Sequence, residues 1–520
     1  MKIVYWGAAI AAAAMVGACG GDDGNGNGGP PPLATLNVTM AAPTLNVSSA
    51  EGQTGHFEIG ASYTGSSSGN VVADVKFSDR RFALDGAPVA AGQGYTVKFA
   101  TVDLPAGGKT STEVTFRLCT DATCGTVYPG STQTFTVNLD VPLQAWGTFQ
   151  RNGAHTGYVP VNYKVADFVK AWEYAGQSIQ APAATADMVA ITTVEPSTGG
   201  TWQYRGTVRG LNAADGAEKW NYDLGSQIYA SGYLSGPAIS DGLVHVTSME
   251  SSSGTNPQWV FDLATGAFKQ QMHFASQWST FNQPVASAGS VYMSAGYYGN
   301  VVYGFDALSG AKRWETFGSY GVWAGESPAV DDNYVYYYSG RALDVIDRGT
   351  GVLVRSVADS GYQQQSYDWF SAPVLGSGGK VFLYSANRTF YTASQLIALD
   401  LNTETTSWRS IARYTTAFAY AGDTIYAVRD DAHVLSAINA ATGEVKWSTS
   451  IPTSDTFAGN VVATGSHVFV STENETWAID LKDAGHKIVW TAPTGGRLAI
   501  TPGNLLLTAQ RAKLTAYKLF

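Results

Sequence analysis

One pattern recurs through most of this chain: a strand, a tight turn opened by Asp or Asn, and a second strand that ends in tryptophan or a substitute for it. The copies are GLNAADGAEKW ending at Trp220, FDLATGAFKQ at Gln270, FDALSGAKRW at Trp314, IDRGTGVLVR at Arg355, LDLNTETTSW at Trp408, INAATGEVKW at Trp447 and IDLKDAGHKIVW at Trp490. Lys170-Ala171-Trp172 begins as a second strand without its first, and Leu514-Thr515-Ala516-Tyr517 is a first strand without its second. Joined, they make an eighth copy. A unit of this kind cannot bury its apolar face alone, so consecutive copies must stack on one another.

Each copy is preceded by a second recurring segment. These are APAATADMVAI from Ala181, GPAISDGLVHV from Gly236, QPVASAGSVYM from Gln283, SPAVDDNYVYY from Ser327 and APVLGSGGKVF from Ala372, with weaker forms from Ala417, Gly459 and Leu498. This count also gives eight. The second-strand positions from Trp172 to Trp490 fall 39 to 53 residues apart, about the length of one four-stranded propeller blade. An all-β chain with an eight-bladed β-propeller over residues 146–520 is the expectation. The turn Asp or Asn accepts local backbone hydrogen bonds, and the turn Gly supplies positive φ.

With these runs the chain resembles the quinoprotein-like (PQQ-like) propeller repeat family, whose blades carry a D-x-x-T-G-x-x-x-W type run. WGTFQRNGAHTG, Trp146 to Gly157, is similar to the segment that leads into such propellers. Gln270 and Arg355 depart from the pattern in place of tryptophan, and Glu404 in place of the turn glycine. For enzymatic members the resemblance implies pyrroloquinoline quinone, a vicinal cysteine pair, a calcium-like ion and an aspartate base. The propeller region has no cysteine, and its histidines (His155, His245, His273, His433, His467, His486) lack ligand spacing. No cofactor, no metal and no catalytic residue are therefore expected. Non-catalytic members include a lipoprotein of the machinery that assembles outer-membrane barrels, so the resemblance implies a binding scaffold for an envelope protein. A glycan- or surface-ligand recognition module is the alternative, and a periplasmic PQQ-type oxidoreductase is the other.

The amino terminus reads as an export signal over residues 1–18: Lys2, then an apolar run from Ile3 to Val16 too short to span a bilayer. Val16-Gly17-Ala18-Cys19 looks like a lipobox, which marks Cys19 for lipidation and the chain for the outer membrane, with the lipid as its membrane contact. Residues 19–33 contain GGDDGNGNGGPPP, a tether without a core. From residue 34 to 142, period-two alternation such as Phe57, Ile59, Ala61 and Tyr63, or Val114, Phe116 and Leu118, fits an immunoglobulin-like β-sandwich. Export favours a disulfide between Cys119 and Cys124. The formal charge of −10, with no basic cluster, argues against a nucleic-acid partner.

Antiparallel order within a blade places the tight turns on one face and the remaining loops on the other. The blade-to-blade loops carry Tyr229, Tyr233, Trp278, Phe281, Tyr320, Trp323, Tyr362, Tyr367, Trp369 and Phe370. The second-to-third-strand loops add Trp202, Tyr204, Tyr297, Tyr298, Phe390 and Tyr391. Aromatics on loops offer contact area at low entropic cost, so this face is the candidate ligand-binding site. The alternative is that the rings wedge between blades or plug the channel.

Overall fold

A computed structural model describes residues 32–197, 204–228, 234–250, 253–277, 283–295, 301–319, 327–362, 372–385 and 394–520. Cys19 lies outside them. The described chain is almost wholly β, with two short 3-10 turns, and none of its helices is long and apolar enough to cross a membrane.

The N-terminal unit is two facing sheets. One runs Asn37–Met40, His56–Thr64, Gly94–Thr101, Phe82–Leu84, and the other Thr44–Ser48, Gln133–Val141, Gly108–Cys119, Val72–Lys76. Thr44–Ser48 pairs parallel with Gln133–Val141, and the other neighbours are antiparallel. Inward residues alternate along the strands: Ile59, Val97, Phe99, Val114, Phe116, Leu118, Phe135 and Val137 share one buried core. Cys119 and Cys124 are disulfide-bonded, with Cα atoms 5.0 Å apart, where Gly108–Cys119 turns toward the next strand.

The rest is a β-propeller of four-stranded antiparallel blades, each running outward from the axis. The first comprises Ala183–Ala184, Met188–Pro196, Tyr204–Asn212 and Glu218–Ile228, and the second Ala238–Ser240, Leu243–Thr247, Ser253–Asp262 and Phe268–Gln277. The third has Val285–Ser287, Ser290–Ala295, Val301–Asp306 and Lys312–Phe317; the fourth has Ala329–Val330, Tyr334–Tyr338, Ala342–Asp347 and Leu353–Ala358. The fifth, Val374–Leu375, Lys380–Tyr384 and Ser394–Asp400, shares the long strand Thr405–Ala421 with the sixth, which adds Thr424–Arg429, Val434–Asn439 and Val445–Ser450. The seventh is Val462–Thr464, His467–Ser471, Thr476–Asp480 and Ile488–Ala492. In the last blade, Arg497–Ile500, Leu505–Ala509 and Lys513–Lys518 take their outer strand, Val169–Ala175, from the other end of the propeller sequence. Arg497–Ile500 also touches Ala183–Ala184, so the ring returns on itself.

Four of the repeated tryptophans each join a blade to the next. Trp172 Nε1 donates to the Ala213 carbonyl at 2.9 Å, Trp220 to Leu263 at 2.9 Å, Trp314 to Arg348 at 3.0 Å and Trp408 to Ala440 at 2.9 Å. Each indole lies flat against the turn glycine of the blade it reaches. A Cβ on Gly216, Gly266, Gly351 or Gly443 would come within 2.5–2.6 Å of the ring. These glycines therefore serve both positive φ and close approach.

Two of the departures from the repeat, Arg355 and Glu404, meet in the structure. Gln270, which replaces tryptophan, donates to Leu308 O at 2.7 Å, and Arg355 donates to Leu401 O at 2.9 Å. Arg355 also lies 3.8 Å from Glu404, the residue that replaces glycine in the turn it reaches. At Arg355 the indole and the facing glycine are both replaced, whereas Gln270 still faces a turn glycine, Gly310, with φ of 70°.

Candidate functional site

Tight turns connect first to second and third to fourth strands on one face. On the opposite face the second-to-third-strand loops are not uniformly long: residues 339–341, 430–433, 472–475 and 510–512 are short connections. The longer second-to-third-strand loops thus belong to the first, second, third and fifth blades, and the aromatic ones to the first, third and fifth, which narrows the sequence expectation. Repeat arithmetic assigns loops to a face but does not equalise their lengths.

Trp146–Gly157 runs inside the ring along the free edges of the innermost strands. Trp146 exchanges two backbone hydrogen bonds with Ala184, at 2.9 and 2.8 Å. Ile239 N donates to Gly147 O at 2.6 Å, Val330 N to Gly153 O at 2.7 Å, Leu375 N to Ala154 O at 2.9 Å, Tyr420 N to Thr156 O at 2.7 Å and Ala463 N to Gly157 O at 2.9 Å. Thr148 Oγ1 reaches Pro284 O at 2.6 Å. Gln150 Oε1 accepts from Asn460 Nδ2 at 2.6 Å, and Asn460 in turn holds both backbone groups of Leu498. Every blade therefore finds a partner for its inner edge in this plug or through it, which removes the exposed edges a sheet otherwise leaves.

The sequence of the plug follows from that path. A Cβ on Gly147 would sit 2.7 Å from Ile239 O, and one on Gly153 would sit 2.7 Å from Val330 O. Gln150, Arg151 and His155 hold positive φ of 49°, 82° and 59°. His155 Nδ1 lies 2.9 Å from Pro373 O while its Nε2 has no partner, and burial pushes the imidazole down to about 4. His245, buried in the second blade, is likewise held down to about 4 by desolvation.

Two buried carboxylates hold the stems of the long loops on the fourth and fifth blades. Asp344 accepts from Ser319 N at 2.7 Å, Ser319 Oγ at 2.6 Å and Ser356 Oγ at 2.6 Å, which fixes the chain entering residues 320–326. Asp359 accepts from Tyr338 Oη at 2.8 Å, Ser385 Oγ at 2.5 Å and Gly361 N at 3.1 Å, and pairs with Arg409. A buried charge is costly unless its lone pairs are filled, and here they are. Sequence reasoning missed both. The available signal was an aspartate at mid-strand in ALDVID, where neighbouring blades carry apolar or small residues.

Of the candidate ring of aromatics, Tyr362 is described: it is half-buried against the core of the fourth and fifth blades, with the Arg341 guanidinium 5.6 Å from its ring centre. Tyr204 sits in a strand and packs on the core of the first two blades, so it is a core residue and not a loop residue. Tyr229, Tyr233, Trp278, Phe281, Tyr320, Trp323, Tyr367, Trp369 and Phe370 lie outside the described residues, as do Trp202, Tyr297, Tyr298, Phe390 and Tyr391. Among the described residues one group has metal-ligand atoms within 4.8 Å of one another, Asp74 with Cys119 and Cys124, and its two sulfurs are bonded to each other.

The family described as outer membrane protein assembly factor BamB matches residues 204–449 and 392–519, together more than half of the chain. The chain belongs to this BamB family. The matched residues run from the third strand of the first blade to the third strand of the last. Solved structures of similar shape include BamB from Moraxella catarrhalis, 17% identical with a TM-score of 0.49 over 68% of this chain and 97% of that one. The WD40 domain of Pan2 from Neurospora crassa is 10% identical, with a TM-score of 0.39 over 68% and 96% of the two chains. The β-propeller domain of Cps50 (Swd1) from Myceliophteria thermophila is 11% identical, with a TM-score of 0.37 over 54% and 93%. No curated protein matches the chain by sequence.

Proposed function

We propose that this chain is a non-catalytic binding scaffold of the bacterial envelope, held at the outer membrane by a lipid on Cys19, that engages a protein partner through the long-loop face of its propeller. Membership of the BamB family, across residues 204–519, carries the reading. In this reading residues 1–18 are the export signal, 19–33 a tether, 34–142 an immunoglobulin-like sandwich and 146–520 an eight-bladed propeller. The parallel pairing of Thr44–Ser48 with the last strand of its sheet supports the sandwich assignment. The blade-by-blade strand order supports the count of eight.

Two features favour binding over chemistry. The plug occupies the ring along the inner strands, where a cofactor on the axis would need room. The buried carboxylates Asp344 and Asp359 have their lone pairs engaged by loop-stem residues. Partner recognition then falls to the loops that these stems support.

Replacing Trp278, Trp323 and Trp369 together by alanine tests the reading. Capture of a partner from envelope extract by crosslinking is lost while the thermal transition stays in place. Assembly-machine subunits among the captured species support the scaffold role, and captured polysaccharide transfers the site to glycan recognition. Quinone binding with alcohol-dependent turnover overturns the reading. Cys19→Ala releases the protein from the membrane fraction, and unchanged fractionation with no lipid on the mature amino terminus overturns the anchor.

A further inference from the structure

We infer that the N-terminal unit is a fixed spacer that turns the propeller's tight-turn face toward the membrane and its long-loop face away from it. The inference rests on the proposed attachment at the amino terminus and on where that terminus joins the fold.

The N-terminal unit has two ends, and the propeller is docked on one. Gly107 N and O exchange hydrogen bonds of 3.0 Å with the side chain of Asn504, buried in the first turn of the last blade. Glu51 pairs with plug residue Arg151 at 2.7 Å, and Arg80 with Asp167 at 2.8 Å. Gly465, in the first turn of the seventh blade, leaves no room for a Cβ, which would come 2.4 Å from Leu104 Cδ1. Every propeller residue in these contacts belongs to the plug or the tight-turn face. Glu51, Arg80, Leu104 and Gly107 belong to the loops at one end of the N-terminal strands.

The chain enters at the other end. Leu36 N donates to Pro129 O at 2.9 Å, and Asn37 pairs with Thr64, the last residue of a strand whose first, His56, lies toward the propeller. The Cys119–Cys124 disulfide is at this distal end as well. Amino terminus, N-terminal unit, tight-turn face and long-loop face thus follow in series. Strands of nine residues make the spacer about 30 Å long.

Energy transfer to a membrane surface reads this order. The chain carrying a hexahistidine in place of residues 1–19 is held on phosphatidylcholine vesicles containing a nickel-chelating lipid and a headgroup acceptor dye. A donor dye is placed by Ala214→Cys in an exposed tight turn, or by Ala432→Cys in an exposed loop of the opposite face. Stronger transfer from position 214 than from 432, with the gap abolished when Asn504→Gly and Glu51→Gln together loosen the docking, is the expected result. Equal or reversed transfer in the unaltered chain overturns the inference. Because the nickel tag replaces the lipid, absence of lipid on Cys19 in cells overturns the anchor alone and leaves the measured order of the faces standing.

Discussion

The coupling of Arg355 with Glu404 can be tested by a double-mutant cycle. In the second blade a Cβ on Gly266 would lie 2.5 Å from Trp220 Cδ2, so an indole and a turn side chain cannot share this seat. Glu404 has such a Cβ and holds φ at 55°, a left-handed conformation that costs a non-glycine residue about 1–2 kcal/mol. Arg355→Trp alone drives an indole against it, an overpacking worth about 1–3 kcal/mol of destabilisation. Glu404→Gly alone relieves the backbone and gives up an ion pair at 3.8 Å between groups 33% and 56% exposed. Such a pair contributes about 0–1 kcal/mol, so this variant is near neutral or slightly stabilised. Together the two changes rebuild the seat used by the other blades, with indole burial worth about 1.5–3 kcal/mol set against the lost arginine stem. The double variant is then about 1–2 kcal/mol more stable than the parent although one of its components is destabilising. Calorimetry of the soluble chain reads this as a rise of about 1–2 °C per kcal/mol in so large a domain. Additivity of the two single changes within about 0.5 kcal/mol would refute the shared seat.

Gly153→Ala pushes a Cβ to 2.7 Å from Val330 O, and the plug cannot move away without losing its bonds to neighbouring blades, so about 1–3 kcal/mol of stability is lost in urea unfolding. Acid weakens the propeller through His155 and His245. Their folded values near 4 lie below the free imidazole at 6.5, so the unfolded chain binds more protons in between. Their contribution is complete above pH about 6.5 and is lost as pH falls toward 4, about 3 kcal/mol each at most, and His155→Gln flattens the melting temperature across that window. Asn504→Gly keeps the turn's positive φ but strands the buried Gly107 N–H and C=O, so the single calorimetric transition splits and the N-terminal unit melts first.

What the sequence disclosed follows from how local each signal is. The Asp-turn-Gly run is legible because one aspartate oxygen satisfies its own turn: Asp262 Oδ1 accepts from Ala264 N, Thr265 N and Thr265 Oγ1 within five residues. The alternation of Val114, Phe116 and Leu118 is legible because one sheet face is dry. The two half-copies near Trp172 and Leu514 are strand neighbours, Trp172 opposite Ala516. The plug was not legible as a plug. Apart from the Asn460 side chain, its partners across the ring are mainly backbone atoms, spread from Ala184 to Ala463, and backbone carries no sequence signature. Glycines at 147, 153 and 157 were the visible trace. The Arg355–Glu404 exchange shows the same limit, since two departures 49 residues apart look independent until the blades are stacked.

The plug also bears on why such a ring can serve as a scaffold. A propeller closes by pairing its first and last segments, here Val169–Ala175 with Lys513–Lys518 over six residue pairs interrupted by a bulge, so the seam is the place where the ring can fray. Trp146–Gly157 ties the inner edges of the remaining blades to the same N-terminal segment, so opening the closure would also require the plug to withdraw from the blades it bonds. Arg151 extends the tie outward, since it leaves the plug to meet Glu51 of the N-terminal unit. The face that carries the tight turns is thereby fixed twice, by the plug beneath it and by the docked unit above it. Loop length and aromatic content are free to vary only on the other face. The proposed recognition role of the long-loop face draws on that asymmetry, because long loops between rigid strand ends can change sequence without disturbing closure.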